Sequence, residues 1–382
     1  MSAEAQRPLG KRLLTALPLI VIVMLATLFL EGAGWLRGFE THTLDAGLRL
    51  MARHHASEDI YIVRISDADY DFLFHRQSPL DGRALYDLLA AIAAGRPAVI
   101  GVDLDTADVS LPSNWGSPPR WPPIVWARAA GGEGEEIEAF GVLGGSNPGL
   151  LSGLSLLPRD PDGIVRRYRR RFRVGGEELD AFPWAVARAY CGLAEHRTDL
   201  TCRNRAKSAP GDWLLNVFAE RYEFEHLNAA HVMQASQGPD WATEGPLHGK
   251  IVLVGGCYKA ARDEYITPFG PMAGVALMAQ ALQSDLRGSA IPPGSLPIIL
   301  LVDVVGGLTL VLLHEWRPVG IGWTLLAVPV IALLSSFFAY HSLAYWATFA
   351  PVLVGVFLHE FHHHLSEHRA LRARLASLER DP

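Results

Sequence analysis

The chain has 382 residues, of which 49% are hydrophobic and 19% are charged, and its formal net charge is −6 at pH 7. This weak acidic excess argues against a general nucleic-acid binder. The apolar residues are concentrated in one run at the start of the chain and three at its end, which enclose a more polar stretch over residues 31–297. That layout predicts a membrane protein with one large domain outside the lipid.

The first element in chain order is an apolar run over residues 13–30, which follows a polar start, residues 1–12. About 18 apolar residues are enough to span the hydrocarbon core of a bilayer. Lys11 and Arg12 precede the run, and positive charge stays in the cytoplasm. We therefore expect a cytoplasmic N-terminus and a transmembrane helix over residues 13–30. The alternative is a cleaved signal peptide, since residues 32–34 are small.

The middle segment, residues 31–297, alternates between strand and helix patterns. Residues 59–66 and 98–103 predict strands, and a helical pattern over residues 82–95 lies between them. A strand, a crossover helix and a strand make a parallel pair, so we expect the two strands to be neighbours. Residues 250–255 predict a strand buried on both faces. The predicted fold class is α/β, a periplasmic parallel-rich sheet with helices on its faces and a β-rich insertion, plus four transmembrane helices.

Aspartates follow both of the first two predicted strands. Ligands of open α/β sheets bind outside the carboxyl ends of the strands, so these carboxylates are expected at the edge where a site forms. They could hold Ca²⁺, Mg²⁺ or a cationic ligand. Alternatively they cap helices and turns, as aspartates at strand ends commonly do. The candidate ligand-binding residues are Asp67, Asp69, Asp103 and Asp105.

The β-rich insertion contains a run of arginines after a predicted turn at residues 160–163. Residues 164–174 read IVRRYRRRFRV, a pattern that predicts a hairpin-like strand. Successive side chains of a strand alternate between its faces, so one face is fully basic. That face could dock lipid headgroups, an anionic ligand or an acidic partner, or it could keep an edge strand from aggregating. The candidate anionic-partner patch is Arg167, Arg169, Arg171 and Arg173.

Three cysteines occur in the chain. Cys191 and Cys202 are close in sequence within the domain expected outside the cytoplasm, where an oxidising compartment permits a disulfide. A bridge requires their Cα atoms to come within bonding reach, and the alternative is a pair of unbridged thiols. Cys257 is left over.

Three further apolar runs lie within residues 298–358 and predict three more transmembrane helices. Arg317 lies in the link between the first and second of them, and several arginines follow in the tail, residues 359–382. Both basic elements then fall on the cytoplasmic side. We expect a multi-pass protein of a bacterial inner membrane with a periplasmic domain over residues 31–297 and with both termini in the cytoplasm.

The tail begins with HEFHH at residues 359–363, which matches the H-E-x-x-H motif of zinc proteases. Its third ligand would be Asp303, but that residue is predicted near the opposite face of the membrane, so we interpret the motif as non-catalytic. His359 and His363 are weak candidates for metal ligands, and no cofactor is otherwise expected. The tail also shows the three-four spacing of a coiled coil, which would join it to a partner protein or to a second copy in a homo-oligomer. The alternative is a plain surface helix.

Several segments, in their order along the chain, resemble the CHASE domain of type two, an extracellular sensory module of bacterial signalling proteins. The segments are IYIVRISD at 60–67, VIGVD at 99–103, DGIVRR at 162–167, LHGKIVLVG at 247–255, and then Asp263, Thr267-Pro268 and Gly274-Val275. The family also has one membrane span before the domain and three after it. The chain departs from it at residues 77–82, QSPLDG, where the family often has Trp-Pro-x-Pro-Arg, and in the short tail, where a catalytic domain usually follows.

The resemblance implies a sensory role. No nucleophile elbow, phosphate-binding loop or dinucleotide-binding motif occurs in a suitable context, so no enzymatic activity is expected. We expect a membrane-anchored sensory or interaction protein whose periplasmic domain perceives a ligand or partner and relays it to a separately encoded output protein. One alternative is a structural subunit of a larger membrane complex, and another is a periplasmic metal-dependent hydrolase. The expected partners are the lipid bilayer and the output protein, with no nucleic acid.

Overall fold

The structure is a computed structural model, and it describes residues 56–110, 121–131, 138–143, 150–193, 212–215 and 224–287, with single residues and short stretches elsewhere. The chain divides into two compact units, one over residues 51–292 and one formed by residues 1–50 and 293–382. Within the described residues, no helix has both the length and the apolar character needed to cross a bilayer. Most residues of the four predicted transmembrane segments lie outside the described residues.

The elements of the first unit alternate between strands and helices. In chain order the strands are β1 Ile60–Ile65, β2 Val99–Asp103, β3 Ile124–Arg128, β4 Ala130–Gly131, β5 Glu138–Ala139, β6 Leu151–Leu154, β7 Arg167–Arg169, β8 Arg171–Val174, β9 Glu177–Asp180, β10 Asp212–Leu214, β11 His226–Asn228, β12 Ile251–Gly256, β13 Glu264–Thr267 and β14 Gly270–Ala273. The helices are α1 Asp67–Phe72, α2 Gly82–Ala94, α3 Phe182–Gly192, α4 Ala229–Ala235 and α5 Gly274–Arg287. A short 3₁₀ helix, Lys259–Ala261, follows β12.

Six of these strands form one parallel sheet in the order β11-β1-β12-β2-β3-β6. Strand β12 pairs with β1 on one side and with β2 on the other. The prediction that β1 and β2 are neighbours is therefore wrong, although both are parallel members of the sheet. The physical reason is that every residue of β12 is buried, as is every residue of β2, and strands apolar throughout belong at the centre of a sheet.

Helices cover both faces of the sheet, so the unit is a three-layer α/β/α domain. Helices α2 and α4 pack together on one face, over a core that includes Leu85, Leu88 and Ile92 of α2. Helices α3 and α5 pack together on the other face, over a core that includes Phe182 and Val186 of α3. The predicted α/β class with a parallel sheet and covering helices is confirmed.

The helices next to the carboxyl edge of the sheet begin at aspartates. Helix α1 opens with a capping box, in which the Ser66 hydroxyl accepts a hydrogen bond from the Asp69 N–H and the Asp69 carboxylate accepts one from the Ser66 N–H. Helix α2 opens at Asp81, whose Oδ1 accepts hydrogen bonds from the N–H groups of Arg83 and Ala84. Such caps satisfy amide groups that have no partner inside the helix.

The arginine run forms two short strands rather than one, because the chain bends at Arg170. Strand β7 pairs with β10 and strand β8 pairs with β9, both antiparallel. The inward positions are nevertheless those expected from alternation: Arg166, Tyr168 and Phe172 are buried. The even-numbered side chains therefore point into the domain, and the odd-numbered arginines lie at or near its surface.

Arg170 fills an interior position next to the last helix. Its guanidinium lies 4.0 Å from the ring centroid of Trp213 and 4.7 Å from that of Trp184. It also bonds the carboxylate of Asp285 on α5 at 2.6 Å, and the Tyr168 hydroxyl donates to the same carboxylate. This buried group ties the end of α5 to the β-rich insertion.

Candidate functional site

A cavity of about 590 Å³ lies at the carboxyl ends of the central strands. It opens where β12, β2, β3 and β6 end, which is the edge where ligands of open α/β sheets bind. Its volume falls within the range of small-molecule sites, about 300–1,000 Å³. Four carboxyl side chains and two tyrosines are prominent in its wall: Asp103, Asp105, Asp108, Asp263, Tyr258 and Tyr265.

Asp103, the last residue of β2, is the most deeply placed of these carboxylates. Its exposed fraction is 7%. The hydroxyl of Ser155, which follows β6, donates to Asp103 Oδ1 at 2.7 Å, whereas Oδ2 is buried without a hydrogen-bond partner among the described residues. Burial, and then the charge of Asp263, raise the pKa of Asp103 from 3.8 to about 7, against the Ser155 hydrogen bond that lowers it. Its carboxyl group is therefore poised between protonation states near neutral pH.

Asp263 and Tyr265 form the opposite part of the wall. Burial raises the pKa of Asp263, and a hydrogen bond from Tyr265 partly offsets that rise. Burial, followed by the charges of Asp263 and Asp103, raises the pKa of Tyr265 to about 12, so its hydroxyl stays protonated and donates to Asp263. Arg159 lies over the ring of Tyr265, 5.4 Å from its centroid, but does not line the cavity.

Gly274, the first residue of α5, lies against the carboxylate of Asp263. A Cβ atom on Gly274 would lie 2.2 Å from Asp263 Oδ2 and 2.4 Å from Oδ1, so a glycine is required for this close approach. The Gly274 N–H also donates to the backbone carbonyl of Asp263 at 2.9 Å. The cavity wall and the start of α5 are thus in direct contact.

Tyr258 closes the side of the cavity that faces α1. Its ring stacks on Tyr70 with the centroids 4.2 Å apart. The adjacent 3₁₀ helix, whose residues Ala260 and Ala261 line the cavity, is held by Asp67, whose Oδ1 accepts a hydrogen bond from the Lys259 N–H at 2.9 Å.

The four predicted ligand-binding residues divide into two pairs. Asp103 and Asp105 line the cavity, whereas Asp67 and Asp69 do not. Asp69 is buried, and its carboxylate accepts hydrogen bonds from the Ser66 N–H and from the Ala230 N–H at the start of α4. Asp67 and Asp69 therefore bond backbone N–H groups, as in the capping alternative. They follow β1, which β12 separates from β2 and hence from Asp103. A binding role for Asp103 and Asp105 stays a prediction.

The arginine patch is partly neutralised by carboxylates. Arg167 lies 3.2 Å from Asp160, and Arg171 lies 3.4 Å from Asp180 and 3.6 Å from Glu178. Arg169 lies over the ring of Phe172, and Arg173 is exposed. Docking of an anionic partner on this surface stays a prediction.

The structure describes the predicted cysteine pair but not the two histidines predicted as weak metal ligands. The structure joins Cys191 and Cys202 in a disulfide with Cα atoms 5.6 Å apart, and Cys257 is free. His359 and His363 lie outside the described residues. Within the parts of the chain that the structure describes, no three His, Cys, Asp or Glu side chains form a group that could hold a metal ion.

Sequence reasoning missed Asp263, Tyr265, Tyr258 and Ser155 as parts of the site. Asp263 belongs to the segments that carry the family resemblance, which was the available signal. Ser155 and Tyr258 follow strands whose place in the sheet is set by long-range pairing. Tyr265 belongs to the local hairpin of β13 and β14, and no sequence pattern marks that hairpin as part of a site. Residues 77–80, in the stretch where the chain departs from the family pattern, also line the cavity.

Comparisons with known proteins give one match. The family model described as CHASE2 domain matches residues 19–320. No curated protein matches the chain, and no solved structure matches it. CHASE2 domains are extracellular sensory domains, and a match over most of the chain shows that this protein belongs to the CHASE2 domain family.

Proposed function

We propose that the chain is a membrane-anchored sensory protein whose domain over residues 31–297 binds a small polar ligand in the cavity at the carboxyl edge of its sheet. The binding event is relayed to a separately encoded output protein. Membership of a family of extracellular sensory domains supports the sensory role. The cavity's volume and position support a small molecule as the ligand.

The unpartnered oxygen of Asp103 is the observation that carries this proposal. Burying a carboxylate oxygen without a hydrogen-bond partner costs free energy, on the order of 1–3 kcal/mol or more for a charged group. A ligand that donates to Asp103 Oδ2 removes this cost, so binding would be favoured at this position. Most native buried polar groups are paired, and an exception inside a cavity points to function.

Membrane anchoring is proposed from the sequence. The apolar runs over residues 13–30 and 298–358 have the length of spans, and the flanking Lys and Arg residues favour cytoplasmic termini. In a bacterium the domain between them would then face the periplasm, and the protein would sit in the inner membrane.

Helix α5 is our candidate for the relay. It starts at Gly274, in contact with Asp263 of the cavity, and ends at Arg287, after which the chain continues toward the apolar runs. Its 14 residues span about 21 Å at 1.5 Å per residue. A displacement of Asp263 on ligand binding would act directly on the start of this helix.

The full chain, purified in detergent, can test the proposal by thermal unfolding against a library of small polar compounds. A ligand specific for the folded state raises stability, by about 2.7 kcal/mol at a hundredfold excess over Kd. Ala260→Trp places a large side chain at the cavity wall and is expected to abolish the rise caused by any hit. Ala94→Trp, an exposed position at the end of α2, is the matched control and should keep the rise.

The relay has its own experiment. Co-purification of the intact protein from native membranes, with and without a hit compound, is expected to bring down a signalling protein whose yield or activity changes with the compound. Constant association with components of a stable assembly, unaffected by any compound, would instead favour a structural subunit.

A further inference from the structure

We infer that the ligand of this cavity is a small organic cation, such as an amine or a guanidinium compound, held between Asp103 and Asp263. The inference rests on the proposed function and names the ligand class of the same site. Four observations carry it: the charge of the wall, the buried unpartnered carboxylate oxygen, the electrostatic effect of the second carboxylate on the first, and the aromatic side chains in the same wall.

The wall of the cavity is acidic. Asp103, Asp105, Asp108 and Asp263 all line it, and the described lining residues include no lysine, arginine or histidine. Two arginines lie near groups of the site. Arg159 lies over the ring of Tyr265, and the charge of Arg64 acts on the thiol of Cys257. Neither arginine lines the cavity, so their charges do not replace a cation within it. A cluster of like charges with low-dielectric walls concentrates ligands of the opposite charge.

Asp103 is built to accept one more hydrogen bond. It is nine-tenths buried, its Oδ1 is already occupied by the Ser155 hydroxyl, and its Oδ2 lacks a partner among the described residues. An ionised carboxylate accepts and does not donate, so the missing partner is a donor. Charged N–H donors form the strongest hydrogen bonds with carboxylates, which favours an ammonium or guanidinium group over a neutral hydroxyl.

The second carboxylate favours a positive charge further. The charge of Asp263 disfavours ionisation of the buried Asp103, and burial disfavours ionisation of Asp263 itself. A cation placed between them relieves this repulsion, whereas an anion would increase it. The charge of the ligand is thus set by two groups that come from distant parts of the chain.

The size and walls of the cavity suit an organic cation. A volume of about 590 Å³ accommodates a small molecule rather than only a single ion. Tyr258 and Tyr265 both contribute to the wall. Tyr70 covers one face of the Tyr258 ring and Arg159 lies over Tyr265, so an organic cation would be attracted by the remaining face of either ring. Gln77 and Ser78 add polar groups that could bond the remainder of the ligand.

Binding is expected to strengthen as the pH rises through 7. The groups that face Asp103 are Ser155 after β6, Asp263 and Tyr265 from the segment after the 3₁₀ helix, and Cys257 after β12. Burial raises the pKa values of Cys257 and Tyr265, so both stay neutral near pH 7. Ionisation of Asp103 is therefore what changes in this pH range, and the ionised form binds a cation more tightly.

The test uses the full chain in detergent with three groups of probes of similar size. The cations are putrescine, agmatine and choline, the anions are succinate and phosphate, and the neutral compound is xylitol; Ca²⁺ and Mg²⁺ are added as separate probes. Thermal unfolding identifies stabilising compounds, and isothermal titration calorimetry gives their Kd values between pH 6 and pH 8. Organic cations are expected to bind, and to bind more tightly at pH 8.

Substitutions decide whether the two carboxylates hold the cation. Asp103→Asn and Asp263→Asn are each expected to weaken cation binding by about thirtyfold or more, because each removes one partner of a buried charged contact. Asp240→Asn, an exposed aspartate outside the cavity, is the matched control and should leave the Kd unchanged. Two separate positions keep the test decisive if circular dichroism shows that one variant does not fold.

The possible failures are distinguishable. Stabilisation by succinate, phosphate or xylitol that Ala260→Trp abolishes would overturn the cation assignment and leave the proposed ligand-binding function standing. Stabilisation by Ca²⁺ or Mg²⁺ alone, lost on Asp103→Asn, would replace the organic cation by a metal ion. If no compound of the probe set or the library stabilises the protein, both the ligand class and the proposed function fail.

Discussion

Asp103→Asn is expected to make the ligand-free protein more stable above neutral pH. When the pKa of an aspartate is raised in the folded state, its ionisation costs more in the folded protein than in the unfolded one. The folded protein therefore has its full stability below the unfolded pKa and loses stability as the pH rises to the folded pKa. For Asp103 the window runs from 3.8 to about 7. A pKa raised from 3.8 to about 7 corresponds to about 4 kcal/mol, because a tenfold change in an equilibrium constant is about 1.36 kcal/mol. Wild-type stability is therefore expected to fall by about that amount across the window.

An asparagine removes this dependence because it carries no charge at any pH. Its amide oxygen can still accept the hydrogen bond of the Ser155 hydroxyl, so the packing at this position is kept. At pH 8 the variant is expected to be more stable than the wild type by up to about 4 kcal/mol, and the difference should shrink toward pH 5. A smaller slope from Asp263, whose pKa is also raised, remains in the variant.

The assay is unfolding of the full chain in detergent, followed by tryptophan fluorescence at a series of pH values between 5 and 8. Trp126 of β3 is buried in the folded protein, and it is one of the ten tryptophans that contribute to this signal. The control Asp240→Asn should follow the wild-type curve. A variant Asp103→Asn whose stability falls with pH as steeply as the wild type would show that Asp103 is ionised at little cost in the folded protein, and would refute the electrostatic account of the cavity.

The remaining predictions concern the last helix and the topology. Arg170→Ala should lower the free energy of unfolding by about 3 kcal/mol or more, since it leaves the buried carboxylate of Asp285 without its cation. Arg171→Ala, at an exposed position, is the control and should lower it by under about 1 kcal/mol. Equal losses in urea unfolding would contradict the buried role of Arg170. Gly274→Ala should displace the carboxylate of Asp263 and weaken binding of any cavity ligand by about tenfold, or 1.4 kcal/mol, in calorimetry; unchanged affinity would remove Asp263 from the site. A phosphatase or fluorescent reporter fused after Asp381 should report the cytoplasm, and a periplasmic signal there would overturn the four-span topology.

The local elements of the fold could be predicted from the sequence, but the order of the strands could not. The strand at residues 250–255 was recognisable from its uniform apolar character, and so was its burial on both faces. Its position between β1 and β2 depends on pairing between residues about 150 or more positions apart, which no local pattern records. The position of β12 between β1 and β2 explains why the aspartates after β1 and those after β2 do not line one cavity together.

Only part of the candidate site could be predicted, because the sequence does not give the order of the strands. Asp103 and Asp105 were identified because they follow a strand, and strand ends mark the ligand edge of such sheets. Asp69 was grouped with them, although Ser66 three residues earlier gives the spacing of a capping box, a local signal that identifies its structural role. Asp263 lies after a different strand and a 3₁₀ helix, so only the folded chain brings it to Asp103.

Helix α5 is fixed at both of its ends. At its start, Gly274 contacts the carboxylate of Asp263, and at its end Asp285 is bonded by Arg170, which lies between Trp184 and Trp213. A helix held in this way has little freedom to bend or to swing about one end. In the relay proposed above, a displacement at the start of the helix would reach Arg170 and Trp213 of the β-rich insertion through Asp285. A ligand that displaced Asp263 in the cavity would therefore change the position or orientation of a helix about 21 Å long.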